Sequence, residues 1–79
     1  MTSNRGMVVE ATAGKERDGL FVVVCTDDNY VYIANGKKRR LQFPKRKNPK
    51  HLRFTDNIIE MNDITDKKLR IVLGSLSTP

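Results

Sequence analysis

The stretch LFVVVCTDDNYVYIANG, residues 20–36, decides the fold. Leu20–Cys25 is an unbroken, largely β-branched apolar run, the pattern of a strand buried on both faces. Thr26–Asn29 (TDDN) supplies the Asp and Asn side chains that cap tight turns. Tyr30–Ala34 (YVYIA) is a second strand, and Asn35-Gly36 after it is the strongest short hairpin signal, because both turn positions need positive φ. The spacing predicts a returning strand over Lys37–Phe43, opening on four bases, closing on Leu41 and Phe43, and stopped by Pro44. On such a strand Lys37 and Arg39 project opposite to Lys38 and Arg40.

Working outward, Val8–Thr12 is a short β-favouring stretch, and Ala13–Gly19 (AGKERDG) is a polar loop bounded by glycines. Pro44–Lys50 (PKRKNPK) has nothing to bury and is expected to be a mobile loop. His51–Thr55 (HLRFT) alternates, with Leu52 and Phe54 on one face and His51 and Arg53 on the other, which makes a fifth strand. Thr65 or Asp66 caps a short helix over Lys67–Leu73, with Lys67, Lys68 and Arg70 toward solvent and Gly74 as its stop. Ile58–Met61 fits neither period. Short strands joined by tight turns point to a mostly β fold, a small barrel with a terminal helix closing one end. The expected organisation is one domain over residues 1–79, with a core over about 5–55 and a helical segment over about 64–74.

Charge is the second informative feature. Between Lys37 and Arg53 stand nine Lys and Arg and no Asp or Glu: Lys37, Lys38, Arg39, Arg40, Lys45, Arg46, Lys47, Lys50 and Arg53. The rest of the chain holds six bases against nine acids, so the net +6 is a strongly positive segment set in a mildly acidic domain. Segregation of this kind costs self-repulsion, and a polyanion is the partner that best relieves it. Protection of a sheet edge by lysines needs fewer charges than this. His51, between Lys50 and Arg53, reads as a further phosphate contact or a solvent-facing side chain. Tyr30 and Tyr32 share one strand face, where they either stack on unpaired bases or pack in the core. Lys37–Arg40 with Lys45–Lys47 also fits a nuclear import signal, which overlaps the nucleic-acid reading.

Catalytic and cofactor chemistry finds no footing. A chain of 79 residues buries only roughly 60–65% of its unfolded surface, which leaves little room for a deep, supported pocket. Gly14-Lys15 is not a phosphate-binding P-loop, since Val9 stands where the first glycine belongs and Glu16 where Ser or Thr must follow the lysine. Asp27-Asp28-Asn29 is too short for a calcium loop. With one histidine and one cysteine there is no zinc set, and Cys25 reads as a core thiol. The expectation is a non-enzymatic protein with no cofactor, no metal and no small-molecule substrate. Met1–Gly6 is polar rather than a secretory leader, and a lone cysteine suits a reducing setting, so a soluble, cytoplasmic protein without a membrane partner is expected.

Arg5–Val24 (RGMVVEATAGKERDGLFVVV) resembles a KOW motif: a short strand, a glycine-containing basic loop and a second strand. Gly6, Val8, Gly14, Lys15, Gly19, Phe21 and Val23 occupy the positions of its glycines, loop base and alternating apolar residues. The continuation to Thr55 is similar to small bacterial KOW-domain RNA-binding proteins, which are themselves similar to single-KOW ribosomal proteins of the archaeal and eukaryotic large subunit. The resemblance covers residues 5–73. It implies an SH3-like barrel that binds ribosomal or other structured RNA, with ribosomal proteins as further partners. It also places Lys15 and Arg17 near RNA beside Lys37–Arg40. Glu16 and Asp18 depart from a loop that is often more basic. The rival expectation is an adaptor whose lysines meet acidic peptides or the transcription machinery.

Overall fold

The computed structural model describes residues 4–15 and 17–76. Five strands, β1 (Met7–Ala11), β2 (Leu20–Thr26), β3 (Val31–Ala34), β4 (Lys45–Lys47) and β5 (Leu52–Ile58), precede one helix, α1 (Asp66–Leu76). A single 3-10 turn, Pro49–His51, leads into β5. The strands form one antiparallel sheet in the order β4-β3-β2-β1-β5. Two register shifts, between Met7 and Val9 and between Val23 and Cys25, bend the sheet toward a small barrel, because a bulge adds local twist. The fold is mostly β and barrel-like, with a short C-terminal helix. Among the described residues no helix is long and apolar enough to cross a membrane.

The unbroken apolar run of β2 has a direct cause. Alternate residues serve two different cores. Phe21 and Val23 point inside the barrel with Val9, Ala11, Val31, Ile33 and Leu52. Val22 points to the opposite face, where Val8, Ala34, Ile59, Met61, Leu69 and Leu73 form a second cluster beneath α1. Leu69 and Leu73 lie on one helical stripe and are both buried. Burying each contributes about 1.5–3 kcal/mol, so most of the helix's stability comes from docking rather than propensity. Ile59 and Met61, which fit neither period, are buried connectors between β5 and α1. The core therefore extends past residue 55 to Leu73.

Several expectations are corrected. Lys37–Phe43 is not a strand. The Asn35 side chain accepts hydrogen bonds from the backbone N–H groups of Lys37 (2.9 Å) and Arg39 (3.2 Å), and the N–H groups of Asn35 and Gly36 both donate to the Arg39 carbonyl (2.8 and 3.0 Å). The side chain thus offers the backbone an alternative to a ladder. Four successive bases give a strand no apolar face in return. Asp66 fixes the exit from this turn, its carboxylate accepting from the Leu41 N–H (2.9 Å).

The fourth strand forms instead at Lys45–Lys47, within the segment expected to be a mobile loop. Its backbone pairs with Val31, Tyr32 and Ile33. Asn48 then caps the 3-10 turn by accepting from the Lys50 N–H (3.0 Å), with Pro49 preset for the first turn position. Gly74 does not stop the helix, which runs on to Leu76. Thr65 is its cap, accepting from the Lys68 N–H at 3.1 Å. Cys25 is half-buried rather than core, and Phe54 is exposed at the rim opposite buried Val9.

Candidate nucleic-acid interface

The β1–β2 loop is closed by its own backbone. Ala11 N–H donates to Gly19 O (3.0 Å), Asp18 N–H to Ala11 O (2.8 Å) and Arg17 N–H to Gly14 O (3.2 Å). These bonds hold Lys15 and Arg17 up toward the 35–40 turn, where Asn35 and Gly36 fix Lys38 and Arg39. Between the two lies a hollow of about 290 Å³ lined by Lys15, Arg17, Gly19, Phe21, Asn35, Lys38 and Arg39. Four cations from two loops share it, and no carboxylate is among its described lining residues. Asp18 lies outside the lining, and Glu16 falls outside the described residues.

Other members of the basic segment sit close by. Lys47 Nζ reaches over to the Ala13 carbonyl (3.2 Å), bringing β4 against the same loop. Thr12 N–H donates to the His51 carbonyl (2.8 Å), which sets His51 and its exposed neighbour Lys50 beside the loop's first residues. Lys45 is half-buried on β4, opposite Ile33. Arg40 is exposed at the turn exit. Lys37 lines an adjoining hollow of about 140 Å³ with Gly19, Leu20, Leu73 and Arg70. Arg70 of α1 donates from its guanidinium to Gly36 O at 2.7 Å. From its sequence position Arg70 reads only as a solvent-facing helix residue. Its contact spans 34 positions, and no local pattern announces it.

Two predicted members stand apart. Arg53 pairs with Glu10 directly across the β1–β5 ladder. Arg46 points to the other face of β4, its guanidinium 4.6 Å from the Tyr30 ring centroid. There it belongs to a different cluster. Asp27 accepts from the N–H groups of Asn29 (3.0 Å) and Tyr30 (2.7 Å) and from the Tyr32 hydroxyl (2.8 Å). The Asn29 N–H bond first, then the Tyr32 hydroxyl and Tyr30 N–H, hold the Asp27 carboxyl below its ordinary range, and the nearby Arg46 charge adds to this. The bond to Asp27 chiefly pushes the Tyr32 phenol up. Tyr30 and Tyr32 are therefore half-buried on the outer surface, away from the hollow, and neither belongs to the barrel core.

What the arrangement does chemically follows from its donors. Lysine ammonium and arginine guanidinium groups around a shallow concavity bind oxyanions through charge-assisted hydrogen bonds. Arginine adds bidentate geometry suited to phosphate. No protein-family model matches the chain, and no curated protein matches it significantly.

Proposed function

We propose that this protein is a non-enzymatic RNA-binding protein of the KOW type, which grips the phosphate backbone of structured RNA, ribosomal RNA foremost, at the basic end of its barrel. One observation carries the reading: Lys15, Arg17, Lys38 and Arg39, distant in sequence, surround one hollow without a described carboxylate. Lys37, Arg40, Lys47 and Lys50, with His51, widen the contact zone around them. Arg46 and Arg53 contribute to the field rather than to the cradle. Contacts of this type fix position and shape complementarity more than base sequence. The setting that suits this activity is the cytoplasm, with ribosomal proteins as neighbours.

Crosslinking in cells followed by sequencing of the attached RNA tests the reading. Enrichment of large-subunit ribosomal RNA is expected, and its absence above background would overturn the ribosomal assignment. The adaptor reading uses the same cations against carboxylates. It gains the upper hand if an acidic peptide binds and RNA does not at about 0.15 M salt, where surface charges more than about 8 Å apart are largely screened.

A further inference from the structure

The side of α1 turned away from the basic hollow is largely apolar and leaves Ile71 and Leu76 exposed. Leu69 and Leu73 face the sheet, while Arg70 and Gly74 face the hollow that holds Lys37. On the remaining side, Lys68, Ile71, Val72 and Leu76 line a groove of about 470 Å³, completed by Asn57, Ile58, Ile59, Glu60 and Ile64. Its rim carries Ile58 at 73% and Ile71 at 62% exposure, high values for isoleucine in a chain with so small a core. Taken with Leu69 and Leu73, the apolar arc of the helix is wider than the single stripe needed to dock on one sheet. A contiguous exposed apolar surface of this kind marks an interaction site.

We propose that this groove is a self-association surface, occupied by the same groove of a second copy across a two-fold axis. Two features favour a copy over a foreign partner. The patch carries both the projections, Ile58 and Ile71, and the groove that receives them, which is the self-complementarity an isologous interface requires. Among the described residues lining the groove, the charged ones are one acid and one base, Glu60 and Lys68. With the two-fold axis midway between these two positions, Glu60 of each copy meets Lys68 of the other and the charges pair without outside help. Among the described residues neither forms an ion pair: Lys68 Nζ makes a long bond to Asp63 O (3.4 Å), and Glu60 accepts from the Asn62 amide (2.9 Å). The hollow lined by Lys15, Arg17, Lys38 and Arg39 shares no residue with the groove, so both copies keep it open.

The test is sedimentation equilibrium of the full chain, with circular dichroism of each variant as a fold check. At roughly 0.1 mM, well above a micromolar dissociation constant, the expected mass is twice the 9.0 kDa of the chain. Ile71→Glu places a carboxylate on the rim at an exposed site and is expected to leave a folded monomer. Glu60→Lys is expected to weaken association about 10-fold or more, and Glu60→Lys/Lys68→Glu to restore it, since the charge pair reforms in reverse. The sign of the salt effect also separates this surface from the basic end. Association of two net-positive chains holds or strengthens as salt rises, whereas RNA binding weakens. A wild-type chain that stays at 9.0 kDa overturns the proposal and leaves the groove to a different protein. So does an Ile71→Glu variant that associates like the wild type, or a double charge reversal that fails to recover.

Discussion

Replacing Gly36 by Ala perturbs the fold and the candidate site at one atom. Gly36 has φ +79°, and a Cβ there would stand 2.4 Å from the Asp66 carbonyl oxygen and 3.1 Å from Cγ of Arg70. The left-handed conformation alone costs a residue with a Cβ about 1–2 kcal/mol. The nearest atom is helix backbone and cannot swing aside, so the turn has to back away from α1. That movement breaks or lengthens the 2.7 Å bond from Arg70 to Gly36 O. A hydrogen bond from a charged group is worth about 1.5–3 kcal/mol, discounted here because Arg70 is exposed. The combined loss comes to about 2–4 kcal/mol. Unfolding entropy of about 2.1 cal/mol/K per residue makes each kcal/mol worth roughly 6 °C in a chain of 79 residues. Gly36→Ala is therefore expected to lower the melting temperature by roughly 12–24 °C.

The control is Gly74→Ala, in the helix, where an added Cβ meets nothing within 4 Å. It is expected to raise the melting temperature by roughly 3–6 °C, because alanine is favoured over glycine in a helix by about 0.5–1 kcal/mol. Thermal melts followed by circular dichroism decide both. A Gly36→Ala variant melting within about 3 °C of the wild type, or a Gly74→Ala variant melting lower, would refute the reasoning.

Leu69→Ala empties a fully buried position beneath the helix and is expected to cost about 2–5 kcal/mol by urea denaturation, whereas Ile71→Ala on the exposed rim should cost a small fraction of that. Thr65→Ala removes the helix cap and should cost about 1 kcal/mol by the same measurement. Asp27 sits below its ordinary value of 3.8, so its stabilising contribution is complete above that value and is lost as pH falls through the lower folded value. Tyr32 is raised above 10.0, so its contribution is complete below that pH and is lost as pH rises through the higher folded value. Melts across the acid range should accordingly fall less steeply in Asp27→Asn than in the wild type, and equal slopes would contradict the assignment.

Much of the fold was legible because its determinants are local or periodic. The β2 run, the TDDN turn and a helix cap at Thr65 or Asp66 each reflect a requirement that a few neighbouring residues satisfy. The misplaced fourth strand shows where this ends. Asn35-Gly36 does mark a turn, but the Asn35 side chain closes it on Lys37 and Arg39 instead of feeding a ladder. Lys45–Lys47 is a strand only because Val31–Ile33 offers it an unpaired edge, which no property of KRK reveals. Gly74 reads as a stop, yet the helix carries it without a positive φ and runs on to Leu76. At the site, the two loops that meet around the hollow were expected together from the resemblance. The diversion of Arg46 and Arg53 was not, because Tyr30, just before β3, and Glu10, on β1, meet them only through the sheet pairing.

The dependence of RNA affinity on salt, measured for the wild type and for a variant with Lys15, Arg17, Lys38 and Arg39 all changed to Gln, tests the central claim most directly. Each phosphate contact adds about −0.7 to −0.9 to the slope of log affinity against log salt, so removing four should flatten the slope by roughly 3. The loss should be alike for all RNA sequences, with the fold retained. A wild-type slope near zero, or a variant whose slope matches the wild type's, would contradict the account.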